Sequence, residues 1–140
     1  MTTYQHTVQY YETDRMGITH HSNYIRWMEE ARTAFLKEIG WDYARLEESG
    51  VISPVVSVDC SYKATTTFED EITITVAVRE MKGVRLVLSY EMRKADGTLA
   101  CVAGSTHCFL NRAGRPIRLN RELPEFYAAL CAAMEEGAGA

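Results

Sequence analysis

Asp14, Gly17, His20 and His21 fall close together in the stretch QYYETDRMGITHHSNYIRWMEEAR, Gln9 to Arg32. A carboxylate there can act as a nucleophile or a general base. The glycine permits a tight turn, and a helix beginning just after the histidines would present backbone N–H groups and a partial positive charge. Such a helix end holds an oxygen or makes it more negative. The chemistry this set could do is attack at a carbonyl whose oxygen is held by backbone donors.

Each residue also has a plainer reading. Asp14 in TDRMG is equally a turn aspartate whose side chain accepts from nearby backbone amides. Adjacent histidines point in different directions and seldom share a metal, so His20 and His21 read as loop or helix-cap residues as readily as catalytic ones. Neither a His pair at i and i+4 nor a cysteine set marks a zinc site, and no metal is expected. His6 and His107 stand alone, the latter within a strand as a packed or surface residue. The chain has no G-x-G-x-x-G, no P-loop and no G-x-S-x-G elbow, so no cofactor is expected either.

The elements around this stretch follow from its periodicities. The stretch opens as a strand, with Tyr10 at a strand position. Tyr24, Trp27, Met28, Ala31, Phe35 and Ile39 recur at helical steps and give one broad apolar face from Ser22 to Ile39. Arg26 with Glu30, and Glu29 with Arg32, are placed to pair along the other side. Gly40 is a natural stop, and a shorter helix runs near Trp41–Glu48, ending at Gly50. The pattern then changes to alternation. Val56, Val58, Cys60 and Tyr62 alternate with polar residues, as do Ile72 to Val78 and Leu86 to Met92, which predicts half-buried strands. FED, MKG and KADG are short links that favour antiparallel neighbours. A last strand covers about Leu99 to Leu110, and Pro124 suits the first turn of a final helix.

This order predicts an α+β domain in which an antiparallel sheet wraps one long helix. Val87, Leu99, Cys101 and Phe109 are expected on the second sheet face, which another subunit could cover.

At 140 residues the chain is one domain, expected over residues 1–136 with a frayed tail at 137–140. A chain of about this size removes roughly 70% of its unfolded surface from water. The composition, 46% hydrophobic and 24% charged, is that of a globular protein, and the net charge of −4 argues against a generic nucleic-acid partner. No apolar run approaches the roughly 18 residues of a membrane span. MTTYQHTVQ lacks the regions of a secretory signal, and four cysteines without C-x-x-C spacing read as reduced thiols. A cytoplasmic setting is expected, with no membrane partner.

The pattern Y-x-x-T-D-x-x-G-I-x-x-H-x-N-Y-x-R-W-x-E-E-A-R, Tyr10 to Arg32, resembles the signature of the hotdog-fold acyl-CoA thioesterases, closest to the 4-hydroxybenzoyl-CoA thioesterase and YbgC-like branch. The resemblance implies a hotdog fold across nearly the whole domain and hydrolysis of an acyl-CoA thioester. It makes Asp14 the catalytic carboxylate, as nucleophile or general base, and places His21 at the helix start, where the backbone N–H would bind the thioester oxygen. Gly17 would close the loop, and Tyr10 aligns with a functional tyrosine of that branch, though packing would explain it equally. Lys63, Arg85 and Arg118 are candidates for the CoA phosphates by charge. This chain has His20 where YbgC-like members often have Tyr, so acyl preference does not carry over. The resemblance also implies a homodimer or homotetramer. A non-hydrolytic hotdog module that binds, hydrates or dehydrates acyl thioesters is the alternative. Glu29 and Glu30 lie on the helix where a dehydratase would need a carboxylate, but the spacing of Asp14 and His21 favours hydrolysis.

Overall fold

The computed structural model of the protein describes residues 2–138; residues 139 and 140 of the expected tail lie outside them, and 137–138 belong to the last helix. Strand β1 (Thr2–Thr7) comes first, then the long helix α1 (Ser22–Glu38) and the short helix α2 (Tyr43–Ser49). Strands β2 (Val55–Tyr62), β3 (Glu71–Lys82), β4 (Arg85–Lys94) and β5 (Leu99–Cys108) follow. A single turn of helix, α3 (Leu119–Glu122), and α4 (Pro124–Ala138) end the chain. The strands form one antiparallel sheet in the order β1-β3-β4-β5-β2.

Alternation decides which face of the sheet meets α1. Ile72, Ile74, Val76 and Val78 of β3 are buried, as are Leu86, Leu88, Tyr90 and Met92 of β4, and register sets the two rows opposite one another. Against them lie Tyr24, Trp27, Met28, Ala31 and Phe35 of α1. α4 extends the same core: the Phe126 ring lies tilted against Trp41 at 5.2 Å and packs edge to face with Phe109 at 6.0 Å. Asp42 caps α2 by accepting from the Arg45 N–H, and Gly50 ends it in the left-handed conformation.

Four expectations need correction. The stretch from Gln9 does not open as a strand. β1 stops at Thr7, and Tyr10–Glu12 is a 3-10 turn, because Glu12 turns its carboxylate back onto the Gln9 N–H at 2.8 Å. β2 is not half-buried: Val55, Val56, Val58 and Tyr62 are exposed, since β2 is an edge strand that α1 only partly covers. Cys101 and Phe109 are fully buried in the core and not on the second face, because β5 registers Cys101 with the core residue Met92. Arg32 is not on the solvent side of α1; it is 6% exposed, while its ion pair with Glu29 forms at 3.0 Å. Glu30 engages His6 at 3.2 Å.

Candidate active site

After the 3-10 turn the chain makes a closed loop between Thr13 and Thr19, which bridge one another. The Asp14 N–H donates to the Ile18 carbonyl at 2.8 Å, and the Gly17 N–H donates to the Asp14 carbonyl at 3.0 Å. Gly17 has φ +79 with nothing within 4 Å of an added Cβ, so backbone conformation, not space, calls for glycine. The turn role expected for Asp14 is real, since Oδ1 accepts the Met16 N–H at 2.8 Å. Among the described residues Oδ2 has no hydrogen-bond partner. One oxygen therefore fixes the side chain and the other is available.

The start of α1 uses up most of its donors. The His20 N–H goes to the Glu12 carbonyl, the Asn23 N–H to the His20 carbonyl and the Tyr24 N–H to the His21 carbonyl. His20 is the capping side chain: its Nδ1 accepts the Ser22 N–H at 3.2 Å and lies 2.9 Å from Ser22 Oγ. His21 makes no such cap. Among the described residues its N–H meets no acceptor, so this donor is left without a partner at the helix N-terminus. Its exposed ring stacks on His20 at 4.3 Å, and its carbonyl accepts from Tyr62 Oη at 3.3 Å.

Asp14, Met16, His21, Tyr24, Tyr62 and Lys63 line one cleft of about 280 Å³. Lys63 follows the end of β2. Burial, followed by the neighbouring Cys60, pushes the Tyr62 phenol up to about 12, and burial also raises Tyr24, whose hydroxyl pairs with Thr66 Oγ1 at 3.0 Å. Both phenols are neutral walls. The cleft therefore offers a carboxylate oxygen, an amide donor and a lysine. Tyr10 does not join them. It is 75% exposed on the 3-10 turn and contacts Phe68 edge-on at 5.7 Å. Arg85 lines a different cleft, of about 380 Å³, with Val56, Ser57 and Thr106, while Arg118 lies beside Gly83. Among the described residues no three His, Cys, Asp or Glu side chains gather as a metal site.

Sequence reasoning missed Glu12. Its side chain is buried, and it accepts from the Gln9 N–H at 2.8 Å, His6 Nε2 at 2.8 Å and Trp27 Nε1 at 2.7 Å. Burial pulls its carboxyl upward, but these three hydrogen bonds outweigh it and hold the group below the usual carboxylate range. A signal existed in the adjacent tyrosine-rich turn and the T-D pair, yet nothing in residue type tells a buried glutamate from a solvated one. Of the two places open to His107, packed or surface, the structure has the first: it is buried. Arg32 Nη1 donates to its Nδ1 at 2.7 Å, so the ring proton sits on Nε2, 2.7 Å from Ser105 Oγ. Ser105 in turn pairs with Tyr90 Oη at 2.8 Å.

A model of the thioesterase-like superfamily matches residues 8–134. YneP of Bacillus subtilis (strain 168), provisionally named an acyl-CoA thioesterase, is 35% identical over 123 residues, which is 87% of this chain and 89% of that protein. The 4-hydroxybenzoyl-CoA thioesterase of Pseudomonas sp. (strain CBS-3) is 26% identical over 136 residues, covering 92% of this chain and 96% of the relative. Among solved structures, a DHNA-CoA thioesterase from Staphylococcus aureus superposes with a TM-score of 0.92 at 28% identity, over 99% of this chain and 95% of that one. No helix of the described residues is long and apolar enough to cross a membrane.

Proposed function

This chain belongs to the thioesterase-like superfamily and has the hotdog fold, and from that premise we propose that it hydrolyses acyl-CoA thioesters to a free acid and CoA. The observation that carries the reading is the shared cleft at the start of α1, which Asp14 and His21 both line, one with an unpartnered carboxylate oxygen and the other with an unpartnered N–H. A thioester carbonyl placed between them would give its oxygen to the His21 N–H. That donor and the helix dipole stabilise the charge that develops as the carbonyl carbon becomes tetrahedral.

Two routes use the same atoms. As a nucleophile, Asp14 bonds to the carbonyl carbon, CoA leaves as thiolate, and water cleaves the resulting anhydride. As a general base, Asp14 takes a proton from a water that attacks the carbonyl carbon directly, and the C–S bond then breaks to release CoA as thiolate. Either way water is the second reactant and no cofactor enters. The exposed His21 ring sits where it can orient substrate or water. Lys63, which borders the same cleft, would meet the pantetheine or phosphate portion of CoA, and Arg85, which lines a separate cleft, is a second candidate for a phosphate. Gly17 shapes the Asp14 loop and Tyr10 flanks it from outside.

The active unit in this reading is at least a homodimer. β2 pairs with β5 on one side and leaves its other edge open, with Val58 and Tyr62 exposed. Antiparallel self-pairing of this edge around Val58 and Asp59 would set Tyr62 and Lys63 beside Pro54 and Val55 of a second copy. Pro54 borders a mostly apolar cleft of about 250 Å³ that includes Tyr43, Leu46, Val51 and Ile52. An acyl chain or ring leaving the first cleft would enter it. Isologous pairing of this kind gives a dimer, and two dimers can make a tetramer. Sedimentation at micromolar concentration that gives only a 15.8 kDa species would overturn the shared site. The four free cysteines fit a cytoplasmic enzyme.

The deciding experiment compares wild type with Asp14→Asn, which keeps the side-chain shape. Thiol release is scored over aromatic, short-chain and medium-chain acyl-CoAs, with binding of a non-hydrolysable acyl-CoA analogue measured alongside. Turnover is expected to fall by about 10² to 10⁴ while binding survives. Unchanged hydrolysis would remove Asp14 from the mechanism, and wild type that binds without releasing thiol would mark a binding module.

A further inference from the structure

We propose that Glu12 is a positioning residue for Asp14: its carboxylate and its backbone carbonyl fasten the Asp14 loop to the first turns of α1 and so set Asp14 against the His21 N–H. This rests on the hydrolytic reading above.

The side chain gathers donors from three separate elements: His6 from β1, Gln9 from the turn, and Trp27 from α1. Its main-chain carbonyl takes two more, the His20 N–H at 2.9 Å and Asn23 Nδ2 at 3.0 Å. Five accepted bonds thus converge on one residue, two positions before Asp14 and on the chain segment that leads to the donor at His21. His6 is itself braced, with Nδ1 at 3.2 Å from Glu30 and its ring 4.7 Å from Trp27. Besides its own turn bonds, the loop is held to the segment before β3, where Thr67 Oγ1 donates to the Gly17 carbonyl at 2.7 Å and the Thr19 N–H donates to the Thr66 carbonyl at 2.8 Å. The Glu12 bonds add the tie to α1, the helix that carries the other half of the site.

A carboxylate is needed for this, and not merely a side chain of that size. Oε1 accepts twice and Oε2 once, all from N–H donors. A glutamine in the same place would turn an NH₂ group toward at least one of those donors. Burying a carboxylate is costly, and an apolar side chain could fill the space. What the carboxylate adds is direction. Misplacing a reacting group by about 1 Å costs on the order of 10²-fold in rate.

The test uses the full-length purified protein with benzoyl-CoA and hexanoyl-CoA as probes. It measures kcat and KM for thiol release in wild type, Glu12→Gln, Trp27→Phe and Asp14→Asn, each corrected for the folded fraction by circular dichroism. Glu12→Gln is expected to lower kcat about 10- to 100-fold with KM within about twofold. Trp27→Phe keeps an aromatic ring but deletes one donor, and is expected to lower kcat less, in the same direction. Should Glu12→Gln fail to fold, Trp27→Phe decides. If the folded variants keep wild-type kcat, or change only KM, while Asp14→Asn is inactive, the positioning role is overturned and the hydrolytic reading stands. Full turnover in Asp14→Asn would overturn both.

Discussion

Near its start α1 receives the Glu12 carboxylate on Trp27, and further along it sends Arg32 to His107 on β5. Both networks are buried, and both join the helix to other parts of the chain. They differ in what they leave over. The Arg32 network runs from Glu29 through His107 and Ser105 to Tyr90, with both imidazole nitrogens engaged; its unpartnered atom, Arg32 Nε, is buried and not open to a cleft. It borders the core and holds the helix down. The Glu12 network ends at a loop and a helix terminus where one carboxylate oxygen and one amide donor are without partners among the described residues. Buried polar networks give stability and direction; a site needs such a network behind it and unsatisfied atoms open to a cleft in front.

The sharpest way to break this contrast is to remove the unpartnered donor. His21 has φ −57, which a proline ring tolerates, so His21→Pro deletes the N–H without imposing a new φ there. Turnover is expected to drop about 10²- to 10³-fold, and His21→Ala should lose far less, in the same thiol-release assay. Equal losses in both folded variants would assign the work to the ring.

The far network should answer to pH instead of to substrate. Burial first, then the Arg32 guanidinium, holds His107 down at about 4 from its ordinary 6.5. Between those values the unfolded chain binds a proton that the folded chain does not. The stability from this residue is therefore complete above about pH 6.5 and is lost as pH falls toward 4, on the order of 3 kcal/mol. Urea unfolding of wild type and His107→Gln should show their difference shrinking as pH drops from 7 to 4.5. A constant difference would contradict a neutral imidazole.

Ser105→Ala sharpens the same side. It leaves Tyr90 Oη and His107 Nε2 without their shared partner, and is expected to cost about 1–3 kcal/mol in chemical denaturation with kcat per folded enzyme unchanged. The smallest effect belongs to Gly17→Ala, where the open surroundings leave only the φ +79 penalty, about 1 kcal/mol, read as a melting shift of about 2–4 °C.

How much of this the sequence carried depends on which residues are asked about. α1, β3 and β4 were legible because each buries one side against one neighbour, and that prints a period on the chain. β2 prints the same alternation but is exposed, because alternation reports that a strand has two faces and not what lies over them. The TVQYYET segment looked extended, and only the bond from Glu12 back to Gln9 curls it. Asp14 and His21 stand together in one motif, Lys63 is a candidate by charge alongside Arg85 and Arg118, and the three line one cleft. Tyr10 was selected with them, yet the turn carries it outward. Glu12 and Arg32 escaped for a common reason. A charged residue looks solvated unless its partners are known, and these partners lie as far as 15 and 75 positions away.

The open edge of β2 also bears on how the protein behaves when crowded or heated. VVSVDCSY is rich in β-branched residues and contains one charge, Asp59, whose carboxylate lies over Gly104 of β5, where a Cβ would come within 2.9 Å of its Oδ1. A run of this kind on a free edge can recruit strands from other chains and seed fibrous aggregates. Asp59 therefore acts as a gatekeeper, and the missing side chain at Gly104 gives it room to stay. In copies that heat has separated from their β2 partner, neutralising it would leave an eight-residue uncharged strand exposed to other chains, and insoluble material on standing would be the visible sign.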